Sequence, residues 1–184
     1  MLKLYKHEGG ELHYAEYWAD GGVATIHVGQ VGDTGSSEKT PCADEGSFER
    51  DFRQRFTAQG YAEWPEGQHW WLALQWPMDT FGGNAAIRAM RNKAMDILDD
   101  LLGWTGLGHV DGFDMGRTAS PEEKFAVNVF CVVVDAETAV KRILETLPEQ
   151  LDCAQLKIGL RSESQDATFK LRYAAPGEDG PFYL

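Results

Sequence analysis

ATIHVGQVGDTGSSEK, residues 24–39, decides the architecture of the N-terminal part: an apolar strand runs into glycines at Gly29, Gly32 and Gly35. Glycine at every third position after a strand means tight turning. Working outward, residues 2–6 form a short strand stopped by Gly9-Gly10, and residues 12–18 form a second with Leu12, Tyr14, Glu16 and Trp18 on one side. Asp20-Gly21-Gly22 turns the chain into residues 23–28, which completes an antiparallel meander. Tyr14, Tyr17 and Trp18 read as the core of this small sheet, because aromatic residues on short strands are buried more often than they stack on ligands. Downstream, residues 36–45 are polar, and Pro41 is expected to break regular structure there. Ser47 is placed to cap a helix over residues 48–59, in which Phe48, Phe52 and Phe56 form one inward stripe and Gly60 supplies the stop.

The totals restrict the class of protein. The 184 residues are 43% hydrophobic and 25% charged, which suits a folded chain of one domain or two small ones. The formal charge of −12 is evenly divided: residues 1–66 carry 12 acids against 6 bases, and residues 67–184 carry 17 against 11. Phosphate binding needs clustered Lys and Arg, so this balance argues against a nucleic-acid module. Cys42, Cys131 and Cys153 are an odd number without Cys-x-x-Cys spacing, and no window reaches the length of a membrane span. The expectation is a cytoplasmic protein with reduced thiols and no membrane contact.

Residues 65–68, Pro-Glu-Gly-Gln, mark the junction between domains 1–65 and 66–184, because a charged helix gives way there to the apolar run 70–76. A second pattern follows: strand 70–76, helix 84–102, strand 109–117, strand 125–134, helix 136–147, strand 153–161, and a further strand at 168–173. This βαββαβ order predicts a ferredoxin-like split βαβ sandwich and makes the whole chain α+β. In that topology the first and third strands are central. WWLALQW and FAVNVFCVVV are the most apolar runs, whereas the second and fourth strands carry Asp111, Asp114, Lys157 and Arg161, as edge strands should. Asp135 is the expected N-cap of the second helix, whose Val140, Ile143, Leu144 and Leu147 make a buried stripe before Pro148.

Val28-Gly29-Gln30-Val31-Gly32-Asp33-Thr34-Gly35 resembles the Trp-Gly-Arg-x-Gly-x-x-Gly signature of the WGR domain, a small β-rich module of poly(ADP-ribose) polymerases and some bacterial regulators. The glycine frame is present; Val28 and Gln30 stand where the family has Trp and Arg. The resemblance covers residues 1–65, includes the helix closed by Gly60-Tyr61, and implies a WGR-like fold. In the family those two side chains contact nucleic acid. Their replacement implies that nucleic-acid binding through Val28, Gly29, Gln30, Gly32 and Gly35 is weak or absent here. Residues 109–116 and the following NVFCVVVD, residues 128–135, are similar to bacterial ferredoxin-like domains of unassigned role, some of which accompany toxin-immunity systems.

Candidate chemistry is sparse. Arg88, Arg91 and Lys93 crowd the early turns of helix 84–102 while Asp96, Asp99 and Asp100 crowd its end, the reverse of what the helix dipole favours. That inversion reads either as an anion- or partner-binding patch or as a solvated face. His109, Asp111 and Asp114 offer an imidazole and two carboxylates, but on a regular strand the two Asp face opposite sides unless a bulge at Gly112 intervenes. Cys131 sits mid-strand as a buried small hydrophobe, and Cys153 follows Asp152, which disfavours a thiolate. No nucleophile elbow or phosphate loop is present, so neither metal nor cofactor is expected and the chain reads as a non-enzyme. The leading reading is a non-catalytic binding or regulatory protein acting through protein contacts, of immunity or accessory type. The sheet face carrying Trp71, Ala73 and Gln75 is expected to lie open on one side and to be covered by the N-terminal domain or by a second copy of the chain, a homodimer.

Overall fold

A computed structural model describes residues 2–164, 168–178 and 180–184. Among these residues it is α+β, with a four-stranded and a five-stranded antiparallel sheet and three α-helices. The chain divides into two units: Met1–Pro65 with Trp104–Gly106, and Glu66–Gly103 with Leu107–Leu184. No helix is long and apolar enough to cross a membrane among the described residues.

The first unit is a meander of β1 (Leu2–Glu8), β2 (Glu11–Asp20), β3 (Val23–Gln30) and β4 (Ser36–Pro41), followed by α1 (Glu45–Thr57). Two Gly-Gly pairs make its first two hairpins. Gly9, Gly10, Gly21 and Gly22 all have positive φ, as two-residue turns matching strand twist require. One face of the sheet, with Leu4, Ala15 and Tyr17, packs on Phe52 and Phe56 of α1, and Leu2, Ile26, Val28, Phe48 and Tyr61 complete that core. Each fully buried Phe there contributes on the order of 2 kcal/mol.

Two expectations fail in this unit. Residues 36–41, read as irregular, form β4, which pairs with β3 from Val28↔Ser36 to Val23↔Pro41. Backbone pairing overrides the polar composition because β4 is an exposed edge, where Pro41 at its end withholds no essential ladder donor. The helix cap is Asp44 and not Ser47: Asp44 has extended backbone and its carboxylate accepts from Gly46 N at 3.0 Å, so the helix starts three residues early.

The second unit runs β5 (Trp70–Met78), α2 (Ala85–Trp104), β6 (Gly108–Arg117), β7 (Phe125–Val133), α3 (Ala136–Thr146), β8 (Lys157–Ser162) and β9 (Lys170–Ala174), with sheet order β6-β7-β5-β8-β9. The apolar runs β5 and β7 pair with each other in the interior, as expected from their composition. β8, expected at an edge, is flanked by β5 and β9 instead. Asp135 caps α3, accepting from Thr138 N at 3.0 Å and Thr138 Oγ1 at 2.8 Å.

Cross-strand register sorts this sheet into two faces. Leu72, Leu74 and Trp76 share one with Cys131, Val129 and Val127. Trp71, Ala73 and Gln75 share the other with Val132, Phe130 and Asn128. This second face, left for another domain or copy in the sequence reading, is occupied in part by the chain's own final residues: Phe182 is buried against Gly159, and the Tyr183 carbonyl accepts from Gln75.

Candidate functional site

The densest polar constellation lies on the second face of the first unit's sheet. Lys3, Glu16 and His27 pair directly across β1, β2 and β3 and therefore form one row. Lys3 Nζ reaches Glu16 Oε2 at 2.9 Å, and Glu16 Oε1 lies 2.8 Å from His27 Nδ1. The other ring nitrogen, Nε2, is 3.0 Å from the Tyr14 hydroxyl, which also accepts from Gly35 N at 3.0 Å and lies 3.2 Å from the Trp104 carbonyl oxygen. The His27 and Glu16 side chains are 1% and 5% exposed, so this is a buried, paired network. Trp104 closes it edge-on, its ring 5.1 Å from His27 and 5.8 Å from Trp18.

Such a row has the parts of a proton relay, but both His27 nitrogens are engaged and the His27 and Glu16 side chains are buried, leaving only Lys3 partly exposed. Its evident work is positional. Tyr5 Oη donates to the Gly106 carbonyl at 3.1 Å, Gly32 N donates to the Thr105 carbonyl at 2.9 Å, and Tyr14 stands against Trp104, so the row and its neighbours hold residues 104–106. Burial raises the hydroxyl pKa of Tyr14 to about 12, with Glu16 and Asp33 adding to the effect and the Gly35 N–H opposing it. Tyr17 is also raised to about 12, by burial and then by its hydrogen bond to Glu49.

The glycine frame of residues 28–35 has a packing cause. A Cβ on Gly29 would sit 2.8 Å from Gly35 Cα and 2.9 Å from the Tyr14 ring, and one on Gly35 would sit 2.1 Å from the Val28 carbonyl oxygen. Gly32 turns the chain with φ 96°. Val28 points to the α1 side and joins that core, while Gln30 pairs with His13 at the end of β3.

The cationic residues of α2 are not brought together. Lys93 Nζ donates to the Gln150 carbonyl at 2.7 Å, whereas Arg88 donates to the Gly82 and Gly83 carbonyls at 3.4 and 3.1 Å. Arg91 lies over the Phe113 ring at 3.8 Å and donates to Met115 Sδ and Asn92. Phe113 is 46% exposed, and Phe81, 6.3 Å from Phe125, is 73% exposed. The bulge weighed at Gly112 exists, with a register shift between Val110 and Gly112. Asp114 nonetheless accepts from Asn128 Nδ2 at 2.6 Å, and no group of three His, Cys, Asp or Glu able to hold a metal occurs among the described residues. Burial, with Asp99 and Asp111 adding to it, pushes the Cys131 thiol far up, and burial followed by Asp152 raises Cys153.

The sequence reading missed the Lys3–Glu16–His27 row, although its signal was present. Two-residue Gly-Gly hairpins set the register, so counting back from Gly21-Gly22 places Glu16 opposite His27, and from Gly9-Gly10 places Lys3 opposite Glu16. Comparison with known protein families, with curated proteins and with solved structures gives no match.

Proposed function

We propose that the chain is a non-catalytic binding protein built from a WGR-like unit and a ferredoxin-like unit, acting through contacts with another protein in an accessory or immunity-type role. The observation that carries this reading is the arginine and phenylalanine surface of the second unit. Arg91 is stacked on half-exposed Phe113, and Phe81, which lies against Phe125, is largely exposed. Aromatic residues and Arg are enriched at protein interfaces and dominate their energetics, and a guanidinium already stacked on a ring loses little freedom on binding. The acidic balance of the chain favours a partner with complementary basic groups around such a centre.

Immobilised chain should retain a protein from a lysate, and Phe113→Ser should lose it while folding normally. Retention of nucleic acid in place of protein, with a salt-sensitive gel shift on single-stranded or nicked duplex DNA, would overturn the reading in favour of the nucleic-acid alternative.

A further inference from the structure

The second face of the five-stranded sheet contains a groove with the features of a peptide reader. Gly159 pairs with Ala73, which pairs with Phe130, and the two small residues leave a hollow in the sheet surface. The Phe182 ring fills it: a Cβ on Gly159 would stand 2.6 Å from Phe182 Cε1, and Phe182 is 8% exposed. Phe169 stands 6.2 Å from both Phe130 and Phe182 and forms a wall.

The next row supplies a fixed main-chain contact. The Asp114 carboxylate accepts from Asn128 Nδ2 at 2.6 Å, and Asn128 Oδ1 accepts from Gln75 Nε2 at 2.8 Å. A carboxylate only accepts, so it sets the orientation of the Asn128 amide, and Asn128 in turn sets that of Gln75. The buried Gln75 amide is thereby held with its second N–H aimed outward, and it donates to the Tyr183 carbonyl at 2.7 Å. The Ala119 N–H donates to the Leu184 carbonyl. The bound segment is neither strand nor helix; it offers one aromatic anchor and two carbonyls, while Tyr183 and Leu184 leave 37% of their surfaces exposed. Gly177 and Gly180, at φ 88° and 112° with no atom crowding either, precede it.

The segment also underfills its seat. Beside it lies a cleft of about 400 Å³ lined by Gln75, Pro77, Phe125, Lys157, Glu178 and Tyr183. That volume falls in the range of small-ligand and side-chain pockets.

We infer that this groove is a docking site for an extended peptide of a partner protein carrying a proline followed by an aromatic anchor, and that residues 181–184 occupy it in cis as a resident competitor. The inference rests on the reading of the chain as a protein-binding molecule and adds a second surface to the Arg91–Phe113 patch. The partner's aromatic side chain takes the hollow over Gly159, Gln75 and Ala119 take its carbonyls, and its flanking side chains enter the adjoining cleft.

The probe is a fluorescently labelled Gly-Pro-Phe-Tyr-Leu peptide, identical to residues 180–184, titrated by anisotropy into the full chain and into Phe182→Ala. The variant should bind saturably and the parent chain about tenfold more weakly or worse, since its competent fraction is reduced by the closed tail. Adding Gly159→Val to the variant should abolish binding by filling the hollow. Failure of folded Phe182→Ala to bind at millimolar peptide overturns the proposal. Should that variant not fold, the parent chain serves: excess peptide must shift the amide resonances of Ala73, Gly159 and Ala119 in two-dimensional NMR, and unmoved resonances overturn it equally. Capture of a partner through Phe113 without peptide binding would sink the groove and leave the binding function standing; peptide binding without any captured protein would do the reverse.

Discussion

Replacing Tyr14 by Phe removes one oxygen and leaves the ring in place, so it isolates what that oxygen does. The hydroxyl faces His27 Nε2, accepts from Gly35 N, and lies within reach of the Trp104 carbonyl, all in a site where Tyr14 has no exposed surface. Water cannot replace it there without opening the sheet. Gly35 N–H and one His27 nitrogen would lose a partner, and a buried polar group left unpaired costs about 1–3 kcal/mol. The two losses share one space and are not fully additive, so the expected destabilisation is about 2–4 kcal/mol. Urea unfolding followed by tryptophan fluorescence is suited to this measurement because Trp18 and Trp104 both lie against His27. The midpoint should fall at unchanged slope, and His27 and Gly35 resonances should shift. A Tyr14→Phe chain within about 0.5 kcal/mol of the parent, the range of ordinary surface substitutions, would refute the view that this oxygen organises the row.

Three further outcomes follow from the geometry. Tyr14 and Tyr17 are both raised to about 12 from an ordinary 10.0, and burial raises Tyr5 further; a raised folded pKa gives stability that is complete below pH 10.0 and is lost as pH climbs toward about 12. Alkaline titration at 295 nm should therefore show these tyrosines ionising late and together with unfolding, and early independent ionisation would contradict the burial assigned to them. Gly35→Ala should destabilise the first unit, because its Cβ meets the Val28 carbonyl at 2.1 Å, whereas Gly103→Ala, inside α2 with open space around it, should be neutral or stabilising by up to about 1 kcal/mol; thermal shifts of the same sign and size would refute the close approach. Asp135→Ala should cost about 1 kcal/mol in urea unfolding through loss of the α3 cap, with Asp135→Asn largely restoring it.

Much of the architecture was legible because its signals are local. Gly-Gly hairpins, the Phe48–Phe52–Phe56 stripe and the apolar strands β5 and β7 announce themselves through spacing and composition. β4 did not, because an exposed edge strand gains its order from the ladder to β3 and needs no apolar pattern of its own. The polar row was legible only in combination: neither His27 nor Glu16 is distinctive alone, and the register that joins them comes from the turns. The covering of the second face by Phe182 was hidden for a different reason, since Gly159 and Phe182 meet through a tail with no periodicity. Arg88 and Arg91 share one side of α2, yet Arg88 turns back to the Gly83 carbonyl while Arg91 reaches Met115, and Lys93, two positions further on, points to another side and meets Gln150.

The assignment of Trp104–Gly106 to the first unit bears on how the protein is made. A ribosome releases β1 to β4 and α1 long before it reaches Trp104, yet Tyr5, Tyr14 and Gly32 find partners only in those later residues. The Tyr5–Gly106 pair closes a span of 101 positions, and the entropy of that closure must be met before the polar row is sealed. Until then the nascent sheet carries His27 and Glu16 under an unroofed surface. The polar face of the emerging N-terminal segment therefore stays wet until the chain has emerged through Gly106, beyond the end of α2.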